Sequence, residues 1–501
     1  MNTVGTSPTQ KITLLHISDL HRNPQQWVSN DALLNSLEYD FQRYSVEPIS
    51  ISKPNLVIVS GDIVKGLQEE ESLDQIYMQY AEAKNFLSGL ANVFLDGDKE
   101  RIVIAPGNHD VCWYYSKGSM KQIQIQEKGV VEEKRKLLKI MLEGDSNIRW
   151  SWGNFEFLQI EDQTLYQKAF EPFSGFYTDF YEGKRRYPLD PADQYDIFDY
   201  PNINTTIVSF NSCYNNDHCN SVGRIHYDCI SKAIRRLRDP QYFGRLLLAV
   251  WHHNVKGSPL EANYMDSRCL KNLIEAGFSL GFHGHQHYTE VVEEYLSCLT
   301  GDRSYFISTG TLCGSGYQLP SGKPRQYNII QIDQEQMMTT VHVREMKESN
   351  LQLPIWGPGS LGIDNRSSLN IPLQKSNIQI TKENAVRSYL RQLSQVEKLI
   401  GSREYGLAQG LLEHLDERDE TVRRLKIECY VNTGDNKGII RLCCPPHNDS
   451  EIIYCLDALW KEADTAELES LLDRDEVKNS ESASVQEAQQ KYSKKLKLKR
   501  S

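Results

Sequence analysis

The chain has 501 residues, 39% of them hydrophobic, 25% charged and 10% aromatic, the composition of a globular protein with room for two to four domains. Its net charge of -11 argues against a protein that coats nucleic acid by bulk electrostatics, although a local basic groove stays open, and an anionic substrate would need cations in its site. No run of about 18 apolar residues occurs, and residues 1–10 are polar without the charged and apolar parts of a signal peptide, so a cytoplasmic protein with no membrane span is expected.

Residues 11–18 read as a buried strand that runs into Asp19-Leu20-His21. Helical spacing follows at Leu33, Leu34, Leu37 and Phe41, with Asn30 or Asp31 as the cap. After Lys53-Pro54 a second apolar run, 55–60, ends in Gly61-Asp62; 71–94 is again helix-like; and 101–105 is a third strand that ends in Pro106-Gly107-Asn108-His109-Asp110. Strand, helix, strand, helix, strand implies parallel pairing through crossover helices, with polar residues at the carboxyl ends, where open α/β sheets hold ligands.

The pattern loosens between 114 and 200. A charged helical stretch, 132–142, precedes a group of aromatics from Tyr166 to Tyr200, with Lys184-Arg185-Arg186 in its middle. We expect an insertion or cap over the site there. It is either a satellite core with a solvated basic turn, or a wall that stacks on a base and holds phosphate through Lys184, Arg185 or Arg186.

Regular pattern returns at 204–210, continues through a helix with Ile230, Ile234 and Leu237, and reaches the apolar run 245–250, which ends in Trp251-His252-His253-Asn254. A helix over 269–276 stops at Gly277. The next apolar run ends in Gly284-His285-Gln286-His287. If that segment stays extended, side chains two apart share a side, so His285 and His287 can face one point, as a metal requires. A histidine-rich turn would explain one such pair, but four other strand ends finish in the same manner. Alternation over 289–346 indicates an antiparallel finish.

Pro354, Pro358 and Pro372, with several Gly and Ser, mark 350–375 as a linker. Beyond it, near-equal recurrence of 412–415, 439–442 and 468–472 predicts stacked helical hairpins of the tetratricopeptide type over 376–475, a unit suited to a protein partner or to self-association. The eleven cysteines form no regular framework, and Cys443 and Cys444 are expected as buried thiols. Residues 476–501 end in a run of lysines and read as a disordered basic tail, a contact suited to an acidic partner.

Five motifs, Asp19-Leu20-His21, Gly61-Asp62, Gly107 to Asp110, His252-His253 and Gly284 to His287, hold more carboxylate, imidazole and amide ligands than one metal needs. In this order they resemble the calcineurin-like metallophosphoesterase superfamily over residues 11–345, inside a domain of 1–349. The resemblance implies an α/β layered sandwich of βαβ units, two sheets flanked by helices, with the C-terminal helical domain added to it. It also implies that Asp19, His21 and His287 hold one divalent ion, that Asn108, His252 and His285 hold a second, and that Asp62 bridges them. Manganese is the first expectation; iron, zinc, nickel, cobalt and magnesium are the others. His109 would act as general acid or as a donor to transition-state charge. His252 is favoured over His253 as a ligand, which leaves His253 to orient a ligand or touch phosphate. Arg22 is read as a phosphate contact or a solvated surface arginine, and His16 and His283 as core residues or supports of the ligands.

There is one departure. Protein phosphatases of the superfamily carry a second aspartate that supports the catalytic histidine, and Lys65 stands in that place in this chain. A protein substrate is thereby disfavoured. The expectation is a two-metal phosphodiesterase for a nucleotide or cyclic nucleotide, similar to the bacterial cyclic-nucleotide branch. Its alternatives are a DNA or RNA nuclease similar to the repair-exonuclease branch, acting with a partner ATPase, and a silent scaffold that binds partners through its C-terminal helices.

Overall fold

A computed structural model describes residues 11–47, 50–67, 72–125, 130–141, 146–257, 263–296, 303–350, 352–362, 366–373, 381–413, 415, 417–480 and 482–500. The polar start at 1–10 and the last residues of the expected linker, 374–375, lie outside that set. The chain forms two compact units, Met1–Gln379 and Ile380–Ser501.

The first unit is a two-sheet sandwich. Strand Lys11–Ile17 is buried at every residue after Lys11, and it pairs in parallel with Leu56–Ser60, which pairs in parallel with Ile102–Ala105. Strands buried on both faces require continuous apolar runs, which these sequences supply. On the other side of Lys11–Ile17 lie the antiparallel strands Gln326–Asp333 and Met338–Glu348. The second sheet runs in the order Val291–Tyr295, Arg303–Ser308, Leu280–His283, Leu246–Val250, Thr205–Phe210, Tyr195–Tyr200. Apolar side chains of both sheets share one core, in which Leu14, Val57, Ile104, Ile207, Leu248 and Leu280 are all buried.

Helices Asn30–Phe41 and Leu73–Leu95 make the crossovers of the first sheet. The longer one starts where the Gln75 side chain accepts the Ser72 backbone N–H, and ends at Asp96 in a left-handed turn. Because the central strands run parallel, their carboxyl ends emerge on one side. Backbone hydrogen bonds continue past them, from Asp19 N to Gly61 O, from His21 N to Asp62 O and from Gly284 N to His252 O, which fixes the loops against one another.

Four expectations need correction. The segment taken for a linker contains the strands Ile355–Pro358 and Ser368–Pro372, both antiparallel to Met338–Glu348. Pro358 and Pro372 each close a strand, where a missing N–H costs least. The aromatics of 166–200 do not cap the site: helix Glu171–Phe180 buries Phe173, Phe176, Tyr177 and Phe180 in the main core, Phe176 stacks on Tyr80 at 5.0 Å, and Tyr181 OH donates to Ile102 O. Cys444 is not a thiol but forms a disulfide with Cys455. Finally, much of the expected disordered tail is the helix Ala483–Arg500, whose Val485, Ala488, Tyr492 and Leu496 form a buried stripe at helical spacing. The many lysines around that stripe obscure it in sequence.

The second unit is helical throughout its described length, from Thr381–Gly401 to Ala483–Arg500. Among the described residues no helix is long and apolar enough to cross a membrane.

Candidate metal centre

The side chains of five strand-end loops converge at one end of the sandwich. Two glycines permit the approach: a Cβ on Gly107 would collide with the backbone and carboxylate of Asp62, and one on Gly284 with Ser18 Oγ and the Asp19 carboxylate. Asp19, His21, Asp62, His285 and His287 all have left-handed backbone, with φ of 51°, 43°, 50°, 72° and 59°. Each such non-glycine residue costs on the order of 1–3 kcal/mol and persists where its surroundings dictate it. The last strand of the set stops at His283, so His285 and His287 converge through this kinked backbone and not, as expected, through an extended one.

Two groups of atoms result. His287 Nε2 lies 3.0 Å from Asp19 Oδ1, and His21 Nε2 lies 4.0 Å from the same oxygen and 3.9 Å from Asp62 Oδ2. In the other group, Asn108 Oδ1 is 3.0 Å from His252 Nε2 and 2.9 Å from His285 Nδ1, while Asp62 Oδ1 is 3.3 Å from His252 Nε2. Asp62 thus reaches both groups, one through each oxygen.

The hydrogen bonds define what these atoms can hold. His252 Nδ1–H donates to Ser60 O at 2.8 Å, and His287 Nδ1–H donates to Gln318 O at 2.6 Å. A neutral imidazole with Nδ1 protonated turns a lone pair outward at Nε2. Those lone pairs face an amide oxygen and a carboxylate oxygen, both acceptors. Both ring nitrogens of His21 are buried without a hydrogen-bond partner. Acceptors facing acceptors in a buried place fit a shared cation.

The electrostatics point the same way. Burial, reinforced by neighbouring histidines, pushes His21 and His285 down to about 3, so both rings stay neutral. Burial also opposes charge on His252 and His287, yet the Asp62 carboxylate beside His252 and the Asp19 carboxylate beside His287 push both up to about 9, so a proton and a cation compete for the same two Nε2 lone pairs. Conversely, although burial disfavours their ionisation, His287 holds Asp19, and His252 with His109 holds Asp62, below the ordinary carboxylate range. Two buried carboxylates therefore create a field that demands positive charge.

His109 stands at the edge of this cluster, its side chain 37% exposed and Nε2 3.8 Å from Asp62 Oδ2. Its backbone N–H donates to Asp62 Oδ1 at 2.8 Å, and its Nδ1–H donates to Lys65 O at 2.6 Å. The main-chain carbonyl of Lys65 therefore supports the ring at the place where an aspartate side chain was sought in the sequence. Asp110, part of the Gly107 to Asp110 motif but given no role of its own in the sequence reading, accepts the Gly107 and Ile63 N–H groups and pins this turn to the neighbouring loop. Ser60 and Gln318 act through backbone carbonyls, which no side-chain pattern announces. A cavity of about 640 Å3 opens above His21, Asn108 and His109.

Residues 12–289 match the family model described as calcineurin-like phosphoesterase. The chain belongs to this family. A calcineurin-like phosphoesterase is a metal-dependent hydrolase with a dinuclear divalent centre, and the Asp and His groups gathered above are candidates to hold it. Among solved structures, similar ones include a dimetal phosphatase from Danio rerio, at 10% identity and TM-score 0.36 over 70% of this chain and 99% of that one. Another is GAP50, the anchor in the inner membrane complex of Plasmodium, at 10% identity and TM-score 0.30 over 71% and 93%. Vacuolar protein sorting 29 from Cryptosporidium parvum follows at 10% identity and TM-score 0.25 over 73% and 100%. Comparison with curated proteins gave no match.

The expected substrate contacts do not assemble at the phosphoesterase site. Arg22 is fully buried, with its guanidinium on Val28 O, Glu82 and Cys313 Sγ and over the Phe86 ring, so it is a core cation. Arg185 pairs with Glu100 and Asp196 and lies 3.7 Å from the Phe198 ring centroid, beside the amino end of strand Ile102–Ala105, whereas Asn108 and His109 follow its carboxyl end. Lys184 lines a small separate recess with Asp98 and Glu100, and Arg186 is exposed without reaching the cavity wall. His253 is buried, its Nδ1 2.9 Å from Ser212 Oγ and its ring 4.9 Å from that of His285, and it does not line the cavity. His16 and His283 are buried core imidazoles.

Proposed function

We propose that this phosphoesterase hydrolyses phosphodiester bonds of a nucleotide-sized substrate at a two-metal site. The observation that carries the proposal is the set of acceptor atoms that face one another around Asp62, which divides into two groups with one oxygen of Asp62 turned to each. Asp19, His21 and His287 form one ligand set, Asn108, His252 and His285 the other, and Asp62 joins them. Divalent ions held there, manganese first among the candidates, would activate water and neutralise charge on the phosphoryl oxygens. The neutral Asn108 oxygen keeps the set from becoming too anionic to admit a phosphate.

His109 then has a defined task. With Nδ1–H committed to Lys65 O, Nε2 is the nitrogen that exchanges its proton, and His109 in its imidazolium form gives that Nε2 proton to the leaving oxygen as the P–O bond breaks, which leaves the neutral ring. The cavity volume of about 640 Å3 suits a small ligand, within the roughly 300–1,000 Å3 usual for such sites. The nuclease reading loses support because Lys184, Arg185 and Arg186 lie away from the cavity. For the helical unit we retain a protein partner or self-association, supported by Leu407, Val431 and Leu498, which are exposed at 63%, 45% and 68%.

Protein stripped with EDTA should release no nitrophenol from bis(p-nitrophenyl) phosphate and should recover with manganese. Asp62→Asn should abolish turnover. Unchanged rates after both Asp62→Asn and His109→Ala would sink the assignment.

A further inference from the structure

The cavity above the proposed centre has an unusual wall for a site that handles phosphate. Beyond His21, Asn108 and His109, its described lining carries one fixed cation, Lys65, and no carboxylate. The polar remainder is neutral: Asn23, Gln25, Gln26, Ser315 and Gln318. A groove for a nucleic-acid strand or a phosphoprotein would need several cations along its length to meet successive charges. The described lining of this wall offers one fixed charge.

What the wall supplies instead is two indoles, Trp27 and Trp113. Trp27 is locked: its Nε1–H donates to Cys313 O at 2.8 Å, and the Arg325 guanidinium lies 4.2 Å from its ring centroid. With its N–H so committed, the ring offers the cavity apolar surface alone. Trp113 opens the short helix Trp113–Gly118, four residues after His109, and remains 37% exposed despite its size. Trp113 is not among the side chains packed against the main core, which Trp27 does touch, so core packing does not account for its size. A flat, uncharged ring is the group that such surfaces favour, and neutral amides beside them can meet the edge of a base without imposing charge.

We propose that Trp27 and Trp113 seat the nucleobase of the substrate while the ligand cluster below holds its single phosphodiester, which makes this a mononucleotide site with the two indoles as its specificity determinants. The inference rests on the phosphodiesterase reading, and deepens it by assigning recognition of the group that does not react.

The test compares adenosine monophosphate with ribose 5-phosphate, which carry the same phosphate and sugar with and without the base. Both are measured on the manganese-loaded full chain, by isothermal titration calorimetry and as inhibitors of bis(p-nitrophenyl) phosphate hydrolysis. Wild-type protein should bind the base-bearing compound about tenfold or more tightly. Trp113→Ala and Trp27→Ala should each remove most of that advantage, and Trp113→Phe should keep it. Circular dichroism checks that each variant is folded. Equal binding of the two compounds by wild type, or an advantage that survives both alanine variants, would overturn the seat. Degradation of single-stranded DNA in preference to cyclic nucleotides would overturn the mononucleotide assignment. If no diester is turned over, the functional reading falls by itself, and the calorimetric comparison still decides the seat.

Discussion

His109 and Lys65 show how a backbone atom can do the work of a missing side chain. The carbonyl of Lys65 accepts from Nδ1 and sets the tautomer of His109, whatever side chain residue 65 bears. His109→Ala should therefore lower kcat by about 10²–10⁴-fold with a much smaller change in KM, as for loss of a general acid; steady-state kinetics on a diester would show it. Gly284 allows a second argument at this scale. Its absent Cβ is what lets Ser18 and Asp19 close in, so Gly284→Ala should cost metal affinity in a chain that stays folded, read by metal analysis beside circular dichroism. The residues that converge on Asp62 were legible, because each closes an apolar run with a residue that packing alone would not select. Their left-handed backbone and carbonyl supports were not, since local sequence does not record what a neighbouring loop imposes. Arg22 misled for the opposite reason: it follows His21 directly, yet its side chain turns into the core.

At the scale of elements, the three parallel strands and their crossover helices were readable from continuous apolar runs and helical spacing. The strands Ile355–Pro358 and Ser368–Pro372 were not, because proline at a strand end resembles proline in a linker. What ties that edge down is tertiary. Arg344, 2% exposed, donates from Nε to Asp40 at 2.9 Å and from Nη1 to Glu47 at 2.7 Å, and Tyr327 OH also donates to Asp40. The network joins strand Met338–Glu348 to helix Asn30–Phe41. Removing one partner of a buried pair leaves an uncompensated charge, so Arg344→Ala should lower unfolding stability by about 3–5 kcal/mol in urea titration. A combined apolar replacement of Asp40 and Arg344 should cost less than Arg344→Ala alone.

Across the whole molecule, buried histidines couple stability to pH. Burial, followed by the charge of Arg344, pushes His342 from 6.5 down to about 4, and burial with His283 pushes His16 from 6.5 down to about 3. A depressed histidine stays neutral in the folded chain while the unfolded chain takes up a proton. Their contribution is therefore complete above pH 6.5 and is lost as pH falls toward 4 and below. Urea midpoints should decline through that window, and His342→Gln, which can keep a hydrogen bond to Gln331, should flatten the decline. No charge count on the chain would have located this dependence, because it follows from which imidazoles the fold buries.

The central claim is that Asp62 joins two cation sites, and electron paramagnetic resonance of manganese-titrated, metal-depleted protein tests it most directly. Two ions per chain should bind, with the exchange-coupled signal of a pair about 3.5–4 Å apart, and Asp62→Asn should abolish the coupling. Binding of one ion, or of two that give only uncoupled signals, would contradict the account.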